Sequence, residues 1–206
     1  MEDKLLGKNY ERELPEGYEE VFKVDITNKR LAIIMNVAAL VVSALLVVAA
    51  ILIIRPADFF ENVGLVKLLV YWLALVVYIV LHELVHGIAY KLLTRQKLKF
   101  GLTLGAAYCG VPDIYVYRRA SMIALLAPFA VFNIVFLAMA FFMPNQWDRF
   151  FSAVLFAFHF GGCAGDLYMT YLFLTRFKDE RTLTRDFGPT AVYYLPRERG
   201  KQSCTE

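Results

Sequence analysis

His82-Glu83-Leu84-Val85-His86 sets two imidazoles four residues apart with a carboxylate between them. On a helix both histidines share one face and can hold one metal ion, while Glu83 reaches a water bound to that ion. The chemistry this pattern proposes is hydrolysis by a metal-activated water, with Glu83 as the catalytic acid and base. The ligand types favour Zn2+. The chain has only three histidines in 206 residues, so accident is a poor explanation of the spacing. The competing structural reading is a pair of packing histidines beside a stray glutamate. Three ionisable groups within an apolar segment are costly unless they pair, bind something or face water, which favours the metal.

Catalytic zinc sites take three protein ligands and keep a position for water. Asp166 is the leading candidate for the third. His82 follows Leu65 by 17 residues and Asp166 follows Arg149 by 17, so in two spans running the same way both lie about 25 Å from the outer end. Asp166 is preceded by the small-residue run Ala157, Gly161, Gly162, Ala164 and Gly165, a pattern that lets helix backbones meet. His159 lies seven residues earlier, on nearly the same helix face and about 10 Å further outward. It is an alternative ligand, a hydrogen-bonding neighbour of one, or a substrate contact. Asp179 and Glu180 are further alternatives, in a charge-rich segment where a solvated surface is the simpler role. Pro128 and Asn133 predict a kink and a buried amide in the third span, with Asn133 a possible neighbour of the site.

The elements that must carry these residues are membrane spans. Hydrophobic residues make up 59 % of the chain, yet charged residues supply 20 %, so apolar blocks alternate with charged ones. Four blocks reach the roughly 20 residues a transmembrane helix needs: 31–54, 65–93, 120–143 and 150–175. The expected fold is an all-α integral membrane protein of one domain, 1–206, with four transmembrane helices. The first thirty residues alternate in charge and have no short apolar core, so no cleavable signal is expected.

Basic residues set the orientation. Lys4, Lys8, Arg12, Lys23, Lys29 and Arg30 precede the first span, and Lys91, Arg95, Lys97, Lys99, Arg118 and Arg119 flank the connection between the second and third. The tail is equally basic, whereas residues 55–64 and 144–149 carry one arginine each. Both termini and the middle connection are therefore expected in the cytoplasm, in a cell membrane crossed several times. Trp147, Phe59 and Phe60 fit outer interfacial anchors. The net charge of +3 serves topology and gives no reason to expect nucleic acid. Cys109, Cys163 and Cys204 are odd in number, without CxxC spacing, and are expected reduced.

Lys97 to Leu104 and Tyr115 to Tyr117 are β-prone around the turn-forming Gly110, Pro112 and Asp113, which predicts a small cytoplasmic hairpin. Its edge could hold an extended substrate by strand addition, or it could simply cap two helices.

HELVHG near the inner end of one span, GGCAGD in another and the strand-like stretch between them resemble the putative zincin peptidase family of prokaryotic membrane proteins, itself distantly similar to the site-2 proteases. The resemblance runs from about Leu14 to Pro196. It implies a zinc-dependent intramembrane endopeptidase acting on membrane protein or peptide substrates, with His82, His86 and Asp166 as ligands and Glu83 as acid/base. One departure is plain: Asp166 follows glycine and precedes Leu167, where site-2 proteases have an asparagine and prolines leading into Leu-Asp-Gly. Two other classes compete. One is a metal-binding membrane scaffold without turnover, and the other a haem-bearing electron-transfer protein with histidines as axial ligands.

Overall fold

The computed structural model describes residues 8–25, 27–58, 63–103 and 107–197. Helix α1 (Lys29–Ile54) begins where the Asn28 side chain accepts from the Arg30 and Leu31 amides, which satisfies donors that a helix start leaves bare. It ends at Arg55, a left-handed residue with φ 50°. Helix α2 (Leu65–Thr94) carries the HExxH residues and ends at Arg95, also left-handed, with Lys91 in its last turn. Helix α3 (Arg118–Phe142) runs through Pro128. Helix α4 (Gln146–Gly162) starts at the Asn145 cap and helix α5 (Ala164–Thr175) follows it at once.

α1, α2 and α3 are each long and apolar enough to cross a membrane, and α4 with α5 forms a fourth candidate bent by 45°. The fourth span therefore breaks at Cys163 rather than running unbroken over 150–175. Their outer faces are strongly apolar: Ile53, Leu65 and Phe142 are 80, 72 and 85 % exposed. Side chains of that size open on all sides fit a lipid solvent.

The expectation of an all-α fold is wrong. Strands β1 (Tyr10–Glu11), β2 (Tyr18–Asp25), β5 (Tyr115–Tyr117), β6 (Leu183–Asp186) and β7 (Thr190–Pro196) form an antiparallel sheet in the order β1-β5-β6-β7-β2. It draws on the segments before α1, between α2 and α3, and after α5. In β2 the charged Glu19, Glu20 and Lys23 are exposed, while Val24 is buried.

The predicted hairpin also pairs differently. β3 (Lys99–Leu102) pairs with β4 (Ala107–Gly110), and β5 joins the larger sheet. The hairpin lies on α2 at Gly87, where a Cβ would sit 2.7 Å from the Phe100 ring.

The sheet also constrains the crossings. β5 and β6 are hydrogen-bonded neighbours, so if α3 crosses a bilayer, the bent pair α4–α5 must bring the chain back. β2 and β5 share the same sheet, which imposes the same on α1 and α2. One apolar cluster, with Phe173, Phe177 and Tyr193, sits between α5 and the sheet; a second joins Tyr90 of α2 to Val116 and Ala124. A third, with Tyr78, Phe132, Phe136 and Leu155, lies among α2, α3 and α4. Trp147 is buried and donates to the Ala57 carbonyl at 2.8 Å, while Phe59, Phe60 and Cys204 lie outside the described residues.

Candidate metal centre

α2 presents His82 and His86 one turn apart, both buried, with their ring centroids 4.9 Å from each other. α5 brings Asp166 to them from its first turn, just after the break at Cys163. His82 Nε2 and His86 Nε2 lie 3.3 and 3.4 Å from the same atom, Asp166 Oδ2. The three donor atoms lie within 4.8 Å of one another.

The far side of each imidazole decides what the near side offers. His86 Nδ1 is 2.8 Å from the Ala124 carbonyl of α3. A carbonyl only accepts, so Nδ1 carries a proton and Nε2 is the ring atom that faces Asp166 and can offer a lone pair to a metal. His82 Nδ1 is 3.2 Å from the Tyr78 hydroxyl, which is also 2.9 Å from His159 Nδ1. Lone pairs of nitrogen and carboxylate oxygen at this range repel unless a proton or a cation lies among them. Two imidazoles and a carboxylate match zinc in number and kind and leave a fourth position open, so the residues present fit the ion.

A second set of donors converges beside the first. His82, His159 and Cys163 also bring ligand atoms within 4.8 Å of one another. The Tyr78 hydroxyl, however, already sits between the two histidines, and Cys163 Sγ is 3.6 Å from His159 Nδ1. His159 is fully buried, in a ring of Tyr78, Phe132 and Phe136. It stands close to His82, with centroids 5.9 Å apart.

Glu83 is half-buried beside His82, His86 and Asp166 and takes a hydrogen bond from the Cys109 backbone of β4. Other candidates stand apart. Glu180 pairs with Arg118, and Asp179 Oδ2 is 2.7 Å from Arg181 Nη2. Asn133 Oδ1 is buried with no hydrogen-bond partner among the described residues. Cys109 and Cys163 are buried free thiols. Sequence reasoning missed Tyr78, Ala124 and the Cys109 amide. Only Tyr78 left a signal, since it precedes His82 by one helical turn.

Comparison with protein families bears on this same stretch. The model of the family described as "putative zincin peptidase" matches residues 75–180, just over half of the chain, including HExxH and Asp166. The chain belongs to the putative zincin peptidase family. Membership implies zinc and supports a metallopeptidase. The match is shorter than the stretch from Leu14 to Pro196, and likeness to the site-2 proteases is not among the findings. No curated protein and no solved structure matches.

Proposed function

We propose that this zincin-family chain is an intramembrane zinc endopeptidase that cuts membrane-associated proteins near the cytoplasmic face of the cell membrane. The observation that carries the reading is the convergence of His82, His86 and Asp166 from two apolar helices, with Glu83 beside them. His82, His86 and Asp166 are the ligands and Glu83 is the catalytic base. Zinc, when bound, lowers the pKa of its water toward about 7 and polarises the scissile carbonyl.

The chain's own residues do the rest. Glu83 accepts the proton of the attacking water and returns it to the leaving amine. The Cys109 amide orients that carboxylate, and the Ala124 carbonyl and Tyr78 hydroxyl orient the two imidazoles. The outer edge of β3 is unpaired among the described residues and suits an extended peptide added as a further strand. A helical substrate must unwind first, because its carbonyls are already hydrogen-bonded.

Cytoplasmic termini are supported by the basic residues before α1 and between α2 and α3, and by one sheet gathering the segments before α1, between α2 and α3, and after α5. The test uses purified protein in proteoliposomes with a panel of single-span peptides carrying quenched fluorophores. Zinc-dependent cleavage is expected, falling by about 10²-fold or more in Glu83→Gln with zinc content unchanged. Undiminished cleavage in that variant overturns the mechanism. No cleavage of any peptide leaves the scaffold reading in its place.

A further inference from the structure

We propose that Pro128 is a positioning residue for the metal centre: lacking an amide proton, it leaves the Ala124 carbonyl free to hold His86 with Nε2 turned toward Asp166. The inference rests on the metal-centre reading above and adds an element of α3 to it.

In an α-helix the carbonyl of residue 124 accepts from the amide of residue 128. Here residue 128 is proline, inside α3. It has no N–H, and its ring crowds the carbonyl four residues back and tips it outward. Ala124 and Pro128 are both fully buried, so water does not replace the missing donor. An unpaired carbonyl in a dry, apolar bundle is costly. His86 Nδ1, 2.8 Å away, is the group that satisfies it.

The dependence is mutual. The proline exposes an acceptor, and the histidine that fills it is thereby fixed in the tautomer and ring orientation that direct Nε2 at Asp166 Oδ2, 3.4 Å away. Groups that hold the remote nitrogen of a metal-bound histidine commonly change metal affinity by about 10–100-fold. Packing alone does not account for a proline here, since alanine is by far the better helix former. Ala124 itself suits the arrangement, having no side chain beyond Cβ to hold the imidazole away.

The proposal predicts two effects of opposite sign from one substitution. Pro128→Ala restores the 124–128 hydrogen bond, so the zinc-free protein in detergent should melt at the same or a higher temperature than wild type. Its zinc affinity, measured by competition with a chromophoric chelator, should fall about 10–100-fold. Pairing Ala127→Pro with Pro128→Ala keeps a break but frees the Ile123 carbonyl instead, about 100° around the helix, and should weaken zinc equally. ¹⁵N-histidine NMR of the zinc-free wild type, which depends on no variant, should find His86 protonated at Nδ1.

Wild-type zinc affinity in Pro128→Ala, or a His86 with no proton on Nδ1, overturns the role of Pro128 while leaving the metal centre standing. A wild-type protein that binds no zinc, or zinc binding undiminished in His86→Ala, overturns the metal centre and this inference with it.

Discussion

The carboxyl of Asp186 ends β6 buried, accepting from the Tyr90 hydroxyl at 3.0 Å and the Gly188 amide at 2.8 Å. Burial pushes its pKa from 3.8 up to about 6, against the lowering effect of those two hydrogen bonds. An acid whose folded value lies above its unfolded one binds its proton more tightly when folded. Its ionisation therefore costs stability above pH 6, up to about 3 kcal/mol, and that cost fades as pH falls toward 3.8. Thermal unfolding in detergent should show wild type gaining on Asp186→Asn between pH 7 and pH 4.5; parallel profiles would remove Asp186 as the source. Burial likewise pushes the Cys109 thiol up to about 12, which keeps it protonated.

Among the elements, α4 is fitted to α1 by one glycine in particular. A Cβ at Gly161 would lie 2.2 Å from Ser43 Oγ and 2.5 Å from the Ala39 carbonyl, and Ser43 donates to the Ala157 carbonyl beside it at 3.0 Å. A backbone carbonyl cannot step aside, so Gly161→Ala should destabilise the protein in detergent by about 1–3 kcal/mol. A Cβ at Gly162 meets nothing within 4 Å, and Gly162→Ala should be neutral or stabilising; equal effects of the two would contradict this packing. The small-residue run was legible as a place of close approach to another helix, and the partner at Gly161 is α1. Its second effect was hidden: a cluster of poor helix formers also ends α4, and the break at Cys163 sets Asp166 in the first turn of a new helix.

At the scale of the whole molecule, apolar helices carry the candidate metal ligands and one sheet ties together the segments before α1, between α2 and α3, and after α5. The helices were legible because apolar length alone marks a span. HExxH was legible because its spacing is local. The sheet was not, since β2 pairs with β7 across almost the entire chain and Tyr10 pairs with Val116; no local pattern records such partners. The same holds for the Ala124 carbonyl, a backbone atom supplied by a neighbouring helix. The central claim, that His82, His86 and Asp166 hold zinc, is tested most directly by zinc K-edge X-ray absorption on the purified protein. The account predicts two imidazole nitrogens at about 2.0–2.1 Å and oxygen at about 2.0–2.2 Å, with no sulfur. A sulfur shell at about 2.3 Å would contradict it and move the ion to His82, His159 and Cys163.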